Sequence, residues 1–298
     1  MTATEPFDDS PETRADRHRG APLRRTGRGH SQASPAVDAS AGRDPCPRIC
    51  YKSPRAGRPA DCLREAAICI SIVGFPAEVR QVYLGSEGIL ASARPGSLLI
   101  DMSTSEPALA VEIAAAARAR GLAALDAPVS GGDVGAREGT LSIMVGGEAA
   151  DFARARPIFE VLGRTLVLQG PAGSGQHAKM CNQIAIAGTM IGVFEALTYA
   201  HAVGLDPETL LASIGAGAAG SWTLTNLYPR VLRGDFGPGF FAEHFLKDLR
   251  IARAEAQQRQ LRLPGLALAE SLYQTLIERG GAQLGTQAIY QVLSEPDA

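Results

Sequence analysis

Hydrophobic and polar positions fall into three regimes along this chain. Through residues 1–60 the large apolar residues are few and scattered: Met1, Phe7, Leu23, Val37, Ile49 and Tyr51, set among ten Arg and eight Pro. Neither a two-residue nor a 3.6-residue period can be found there. Such text buries too little surface to offset the entropy of ordering, so it reads as a disordered or aberrant segment.

From residue 61 the pattern changes. Ile68–Val73 is a short apolar run ended by Gly74 and Pro76, the signature of a buried parallel strand. Ala77–Leu84 reads as a short helix and Leu98–Asp101 as a second strand. Ser103, Thr104 and Ser105 followed by Pro107 open a helix that Ile113–Arg120 continues and Gly121 closes. Leu122–Val129, Thr140–Val145 and Thr165–Leu168 read as strands, with a helix over Ala149–Leu162. Strands alternating with helices predict a doubly wound α/β sheet.

After Gly175 strand signals stop. Gln176–Val203 is one long run of small and apolar residues at helical spacing, stopped by Gly204, and Asp206 with Pro207 then opens another helix. Helical periodicity continues through Glu243–Arg259, Leu266–Arg279 and Gln283–Leu293. The expectation is therefore a disordered or poorly ordered segment (1–60), a doubly wound α/β sheet domain (61–175) and an all-helical C-terminal domain (176–298). A helix apolar on all sides must be covered on all sides, which predicts a place between domains or at a subunit interface.

Composition narrows the function classes. The chain has 298 residues, 45% hydrophobic and 20% charged, with a net charge of −2, so it carries no electrostatic footprint for nucleic acid. The five Cys are odd in number and fit no disulfide framework, and the five His have no metal-ligand spacing. Cys46 and Cys50 lack a second pair, so no zinc site is expected. The longest apolar stretches, Ala66–Phe75 and Ile184–Phe194, fall short of the roughly 18 residues that span a bilayer. Asp8, Asp9, Glu12 and Asp16 argue against a transit peptide. A cytoplasmic protein with reduced thiols and no membrane partner is expected.

Three constellations bear chemistry. In Gly173-Ser-Gly-Gln-His-Ala-Lys179-Met-Cys-Asn182-Gln183, helical spacing puts Lys179, Asn182 and Gln183 on one face. A desolvated ammonium there has a lowered pKa and can exchange a proton with a hydroxyl. On spacing alone, a Lys snorkelling at a helix start accounts for the pattern as well. Asp126-Ala-Pro-Val-Ser130-Gly131-Gly132 ends a strand, where ligands of open α/β sheets sit, and its turn offers backbone N–H groups and a hydroxyl to a carboxylate. A plain strand-to-loop turn stands equally open. Asp101-Met-Ser103-Thr104 has the same ambiguity. Phe245-Leu-Lys247-Asp248-Leu-Arg250, alone, is a solvated helix face.

Together with Gly139-Thr-Leu and Met144-Val-Gly-Gly147, these stretches resemble, in order and from about Cys69 to Val292, the β-hydroxyacid dehydrogenases. The resemblance implies hydride transfer between NAD or NADP and a small 3-hydroxy acid or its semialdehyde. It implies Lys179 as general acid/base, Ser130, Gly131 and Gly132 as the seat of the substrate carboxylate, and Asn182 and Gln183 as its orienting side chains. Phe75, Pro76 and Thr104 match positions lining the nicotinamide half of the cofactor, and Lys247 one that closes over it. A homodimer or homotetramer is expected. The family also opens with strand–Gly-x-Gly-x-x-Gly–helix, whose helix N-terminus holds the pyrophosphate. Where that loop should fall stands Arg24-Arg-Thr-Gly27-Arg-Gly29-His-Ser-Gln32, with no apolar strand before it, and it is rejected as a fingerprint. Measured against the family, the chain is then expected to hold a truncated Rossmann-like sheet (61–175) after an aberrant segment (1–60). A cofactor-deficient, non-catalytic remnant and a related imine reductase are the alternatives.

Overall fold

The computed structural model describes Ile49–Cys50, Leu63 and residues 66–295. The reading of 1–60 as disordered lies outside the described residues, except at one point where it is corrected. Ile49–Cys50 is a two-residue strand (β1) paired in parallel with the next strand, in register Ile49↔Ile68. Two residues show no period, so no pattern rule detects such a strand.

The sheet continues with β2 (Ile68–Ser71), β3 (Leu98–Asp101) and β4 (Ala123–Asp126), all parallel. In β3 successive side chains alternate faces. Leu98 and Ile100 join Ile68, Leu125, Ile143 and Phe159 in one core layer, while Leu99 packs with Tyr83, Leu109 and Ile113 in the other. Burial on both faces is why β3 is apolar without interruption until Asp101.

The strand expected over Leu122–Val129 breaks at Ala127-Pro128, since proline cannot donate to a ladder. Beyond it a short strand β5 (Val129–Ser130) pairs antiparallel with β6 (Leu141–Gly146), which also meets β4 antiparallel and runs parallel to β7 (Gly163–Gly170). Gly131 and Gly132 adopt φ of 131° and 63° between β5 and a helix over Gly132–Glu138. Side chains other than glycine rarely take either conformation. Further helices on the sheet are Pro76–Leu84, Ile89–Ser92, Pro107–Arg118 and Ala149–Leu162.

The long helix runs Ser174–Ala202, and it packs against β6 on one side and against the helices Ala242–Gln258 and Pro264–Glu278 on the other. Met180, Phe194, Leu197, Tyr228, Phe245 and Tyr273 are core residues of this helical half. Its 29 residues have the length and composition of a membrane span although no single apolar run does. Here they form a core helix, its buried residues spread from Gly175 to Ala200. The helix expected over Gln283–Leu293 is corrected to 3₁₀ turns (Gly281–Gln283, Thr286–Ile289) and a short helix, Tyr290–Leu293. Gly285 and Thr286 instead donate their N–H groups to Phe236 and Phe240 O, which draws the chain out of a regular helix.

Candidate active site

The carboxyl ends of three adjacent parallel strands meet the first turns of the long helix. Ser71, Asp101 and Asp126 stand in register there, one on each strand. Asp126 accepts the Gly173 N–H at 2.8 Å and the Gln176 N–H at 2.9 Å, so it caps the long helix from outside it. Burial pushes the Asp126 carboxyl up, and the N–H groups of Gly173, Gln176 and Gly175 hold it back.

Two turns into that helix Lys179, 6% exposed, donates from Nζ to the carbonyl of Val129 at 2.8 Å. Val129 immediately precedes the Ser130-Gly131-Gly132 turn, so the ammonium and the expected carboxylate seat adjoin. Burial pushes the Lys179 ammonium down from 10.5 to about 8; Asp248 opposes that and Lys247 adds to it.

Asn182 Nδ2 donates to Gln183 Oε1 at 2.8 Å, and Gln183 Nε2 donates to Asp248 Oδ2 at 2.6 Å. Gln183 therefore braces a carboxylate as well as its neighbour. Asp248 is fully buried. Lys247 Nζ lies 2.9 Å from Asp248 Oδ1, an ion pair by distance whose angles do not make a hydrogen bond. The same Nζ donates to Thr104 O at 2.7 Å. The reading of Lys247 and Asp248 as a solvated face fails for this reason: both side chains turn into the cleft between the sheet and the helical half.

Phe75 and Pro76 begin the helix after β2, where Glu78 accepts the N–H groups of Gly74 and Phe75 at 2.9 Å each. The Phe75 ring lies 5.1 Å from that of His244, one turn before Lys247. The Phe240 ring stacks on His244 at 6.4 Å. The structure thus links Phe75 through His244 to Lys247, and Thr104 through Lys247 to Asp248, Gln183 and Asn182. Behind them Ser71 donates to Asp101, Tyr83 bonds Ser71 and Ser103 Oγ accepts the Val73 N–H. Burial pushes Asp101 up to about 6.

Sequence reasoning gave no separate role to Asp126, Gln176, His244 or Asp248. Asp126 and Asp248 stood inside quoted motifs; for Asp126 a carboxylate between Leu125 and Ala127 was the available signal, and Asp248, beside Lys247, had none. Gln176 and His244 carried none. Among the described residues, no cluster of His, Cys, Asp or Glu could hold a metal ion.

The Phe75–Pro76 helix start, the Thr104–Lys247 bond and the buried unpartnered Ser105 Oγ nearby fit the nicotinamide half of NAD(P). The pyrophosphate half fits less well: the stretch where the family's glycine turn falls, Arg24–Gln32, has Gly27 and Gly29 but Gln32 in place of the third glycine.

A Rossmann-like sheet joined to a helical half, with a desolvated Lys beside a Ser-Gly-Gly turn, defines the class of NAD(P)-dependent hydroxyacid oxidoreductases. Residues 36–170 match the NAD binding domain of 6-phosphogluconate dehydrogenase, and residues 173–293 match the NAD-binding domain of NADP-dependent 3-hydroxyisobutyrate dehydrogenase. An uncharacterized oxidoreductase, YkwC, of Bacillus subtilis is 56% identical over 232 residues, 78% of this chain and 81% of the relative. The NAD-dependent L-serine dehydrogenase of Pseudomonas aeruginosa is 41% identical, over 75% of this chain and 77% of that enzyme. Among solved structures, Mycobacterium tuberculosis 3-hydroxyisobutyrate dehydrogenase with L-serine aligns with a TM-score of 0.72 at 32% identity, over 79% of this chain and 82% of that one. The chain belongs to the β-hydroxyacid dehydrogenase family.

Proposed function

We propose that the chain interconverts a small 3-hydroxy acid and its aldehyde or keto acid, with Lys179 as general acid/base. NAD(P), when bound, supplies or accepts the hydride. In the reducing direction the Lys179 ammonium gives a proton to the carbonyl oxygen as it becomes a hydroxyl; in the oxidising direction the neutral amine takes the hydroxyl proton. A group poised near the working pH serves both directions.

The observation that carries this reading is the buried Lys179 Nζ, 2.8 Å from Val129 O and next to the Ser130 turn. Ser130 Oγ and the backbone N–H groups freed by the positive φ of Gly131 and Gly132 take the substrate carboxylate. Asn182, steadied by Gln183, orients the hydroxyl. Phe75, Pro76 and Thr104 face the nicotinamide, with Lys247 closing over it. L-Serine, the substrate or partner named for two relatives, has the required carboxylate beside a carbon bearing CH₂OH.

The division near residue 175 fits this reading, since one family model ends at residue 170 and the other begins at 173. The exposed face of the long helix, Cys181, Ala185, Gly188, Gly192, Glu195 and Tyr199, is mostly small or apolar and supports a homo-oligomer.

A cofactor-deficient form is the second reading, favoured by the incomplete glycine fingerprint at Gly27-Arg-Gly29-His-Ser-Gln32. Titrating NADH and NADPH while following nicotinamide fluorescence, then assaying L-serine and 3-hydroxyisobutyrate with each oxidised cofactor, separates the two. Saturable binding and turnover support the enzyme; no binding up to millimolar cofactor supports the deficient form.

A further inference from the structure

We infer that Asp126 and Gln176 are positioning residues that pin the start of the long helix and so set where Lys179 stands relative to the Ser130 turn. The inference rests on the proposed role of Lys179. The helix opens at Gly173 with no side-chain cap of its own, which leaves its first N–H groups without intrahelical partners. Asp126 supplies the missing acceptors, one oxygen to Gly173 and one to Gln176, and its charge lies at the positive end of the helix dipole. Asp126 is 4% exposed. A carboxylate so buried is costly unless held in this way.

Gln176 ties the same turn to the other strand end. Its Oε1 accepts the Ser105 N–H at 2.9 Å, its Nε2 donates to Ser103 O at 2.8 Å, and none of it is exposed. Between the two pins there is no slack. A Cβ on Gly175 would stand 2.5 Å from Met144 O and 2.7 Å from Asp126 O, both backbone atoms that cannot swing aside.

Geometry then connects the pins to the chemistry. Gln176 and Lys179 are three residues apart, on the same side of the helix. Asp126 belongs to the segment that continues through Val129 to Ser130. A helix held on Asp126 is therefore held on the piece of chain that carries the carboxylate seat, while Gln176 prevents rotation about that point by gripping Ser103 and Ser105. Neither residue touches the reacting atoms; both act through Lys179.

The test compares the wild type, Gln176→Met, Asp126→Asn and Lys179→Ala for kcat, KM and the pH dependence of kcat. Methionine fills the volume of Gln176 and removes both bonds. The expected result for Gln176→Met and Asp126→Asn is a kcat lowered about 10- to 100-fold, the loss typical of a displacement near 1 Å. KM for acid and cofactor should stay within about three-fold. The Lys179 limb of the pH profile should move up from about 8 toward 10.5 as water reaches the ammonium. Should Gln176→Met not fold, Gln176→Glu, which keeps the acceptor and loses the donor, is read in the same way. A kcat within two-fold of wild type overturns the inference. So does a lowered kcat with an unmoved profile, which marks only lost folded protein. Lys179→Ala keeps the two claims apart: activity surviving that substitution sinks the role of Lys179 itself, whatever Gln176 does.

Discussion

Lys179 Nζ donates to the carbonyl oxygen of Val129 at 2.8 Å, across 50 residues of sequence. That bond joins the first turns of the long helix to the strand end that begins the Ser130-Gly131-Gly132 turn. The ammonium is held by a neutral carbonyl, and the carboxylate that attracts it, Asp248, is engaged by Gln183 and Lys247. Desolvation therefore outweighs attraction, and the pKa falls to about 8.

The pH dependence follows with opposite signs in the two directions. Reduction needs the protonated Lys179, so kcat should fall as pH rises through about 8. Oxidation needs the neutral amine and should rise through the same value. Profiles of both directions on one substrate pair check this; two limbs of the same sign would contradict it.

Stability should run against catalysis at Lys179. A lysine whose folded pKa lies below its unfolded one binds fewer protons when folded between about 8 and 10.5. Wild-type stability should accordingly rise with pH across that window. Lys179→Met removes the buried charge and should stabilise the fold at pH 7 by on the order of 3 kcal/mol at most, with the gain shrinking toward pH 10.5. Denaturant melts at pH 7 and pH 10 read both numbers.

Asp248→Asn keeps the shape beside Gln183 and removes the charge that holds the Lys179 pKa up. The reducing limb should move below about 8 and kcat at neutral pH should drop. An unshifted limb would show that Asp248 does not act on Lys179.

Glycines along the long helix should separate by what they face. Gly175→Ala meets backbone atoms and should destabilise by about 1–3 kcal/mol or more. Nothing lies within 4 Å of a Cβ at Gly188 or Gly192. If that face meets a second copy, as proposed, Gly188→Leu with Gly192→Leu should leave a folded monomer by light scattering. An unchanged mass would place the interface elsewhere.

Much of the fold was legible because its signals are periodic. Leu98–Asp101 and Ala149–Leu162 have the bounds read from the sequence, since each is ended by a residue that changes the local rule, Asp101 and Gly163. Ile49–Cys50 was illegible for want of length, and the turns around Gly285 because long-range bonds to Phe236 and Phe240 decide them. At the site, Lys179 and Ser130 were legible as chemistry-bearing types beside glycines. The buried setting of Asp248 was not, because nothing in Lys247-Asp248 says that both turn inward. Gln176 was illegible for the same reason: its partners, Ser103 and Ser105, lie some 70 residues earlier.

The most direct measurement is the single-turnover rate of Lys179→Ala, with reduced cofactor already bound, against the wild type at pH 7. Proton transfer by a positioned side chain contributes about 10²–10⁴-fold, so the variant should lose that much while its cofactor affinity stays within a few-fold. Lys179→Arg should fail as well, because a guanidinium does not release its proton near neutral pH. A Lys179→Ala protein that keeps more than a third of the wild-type rate would contradict the account.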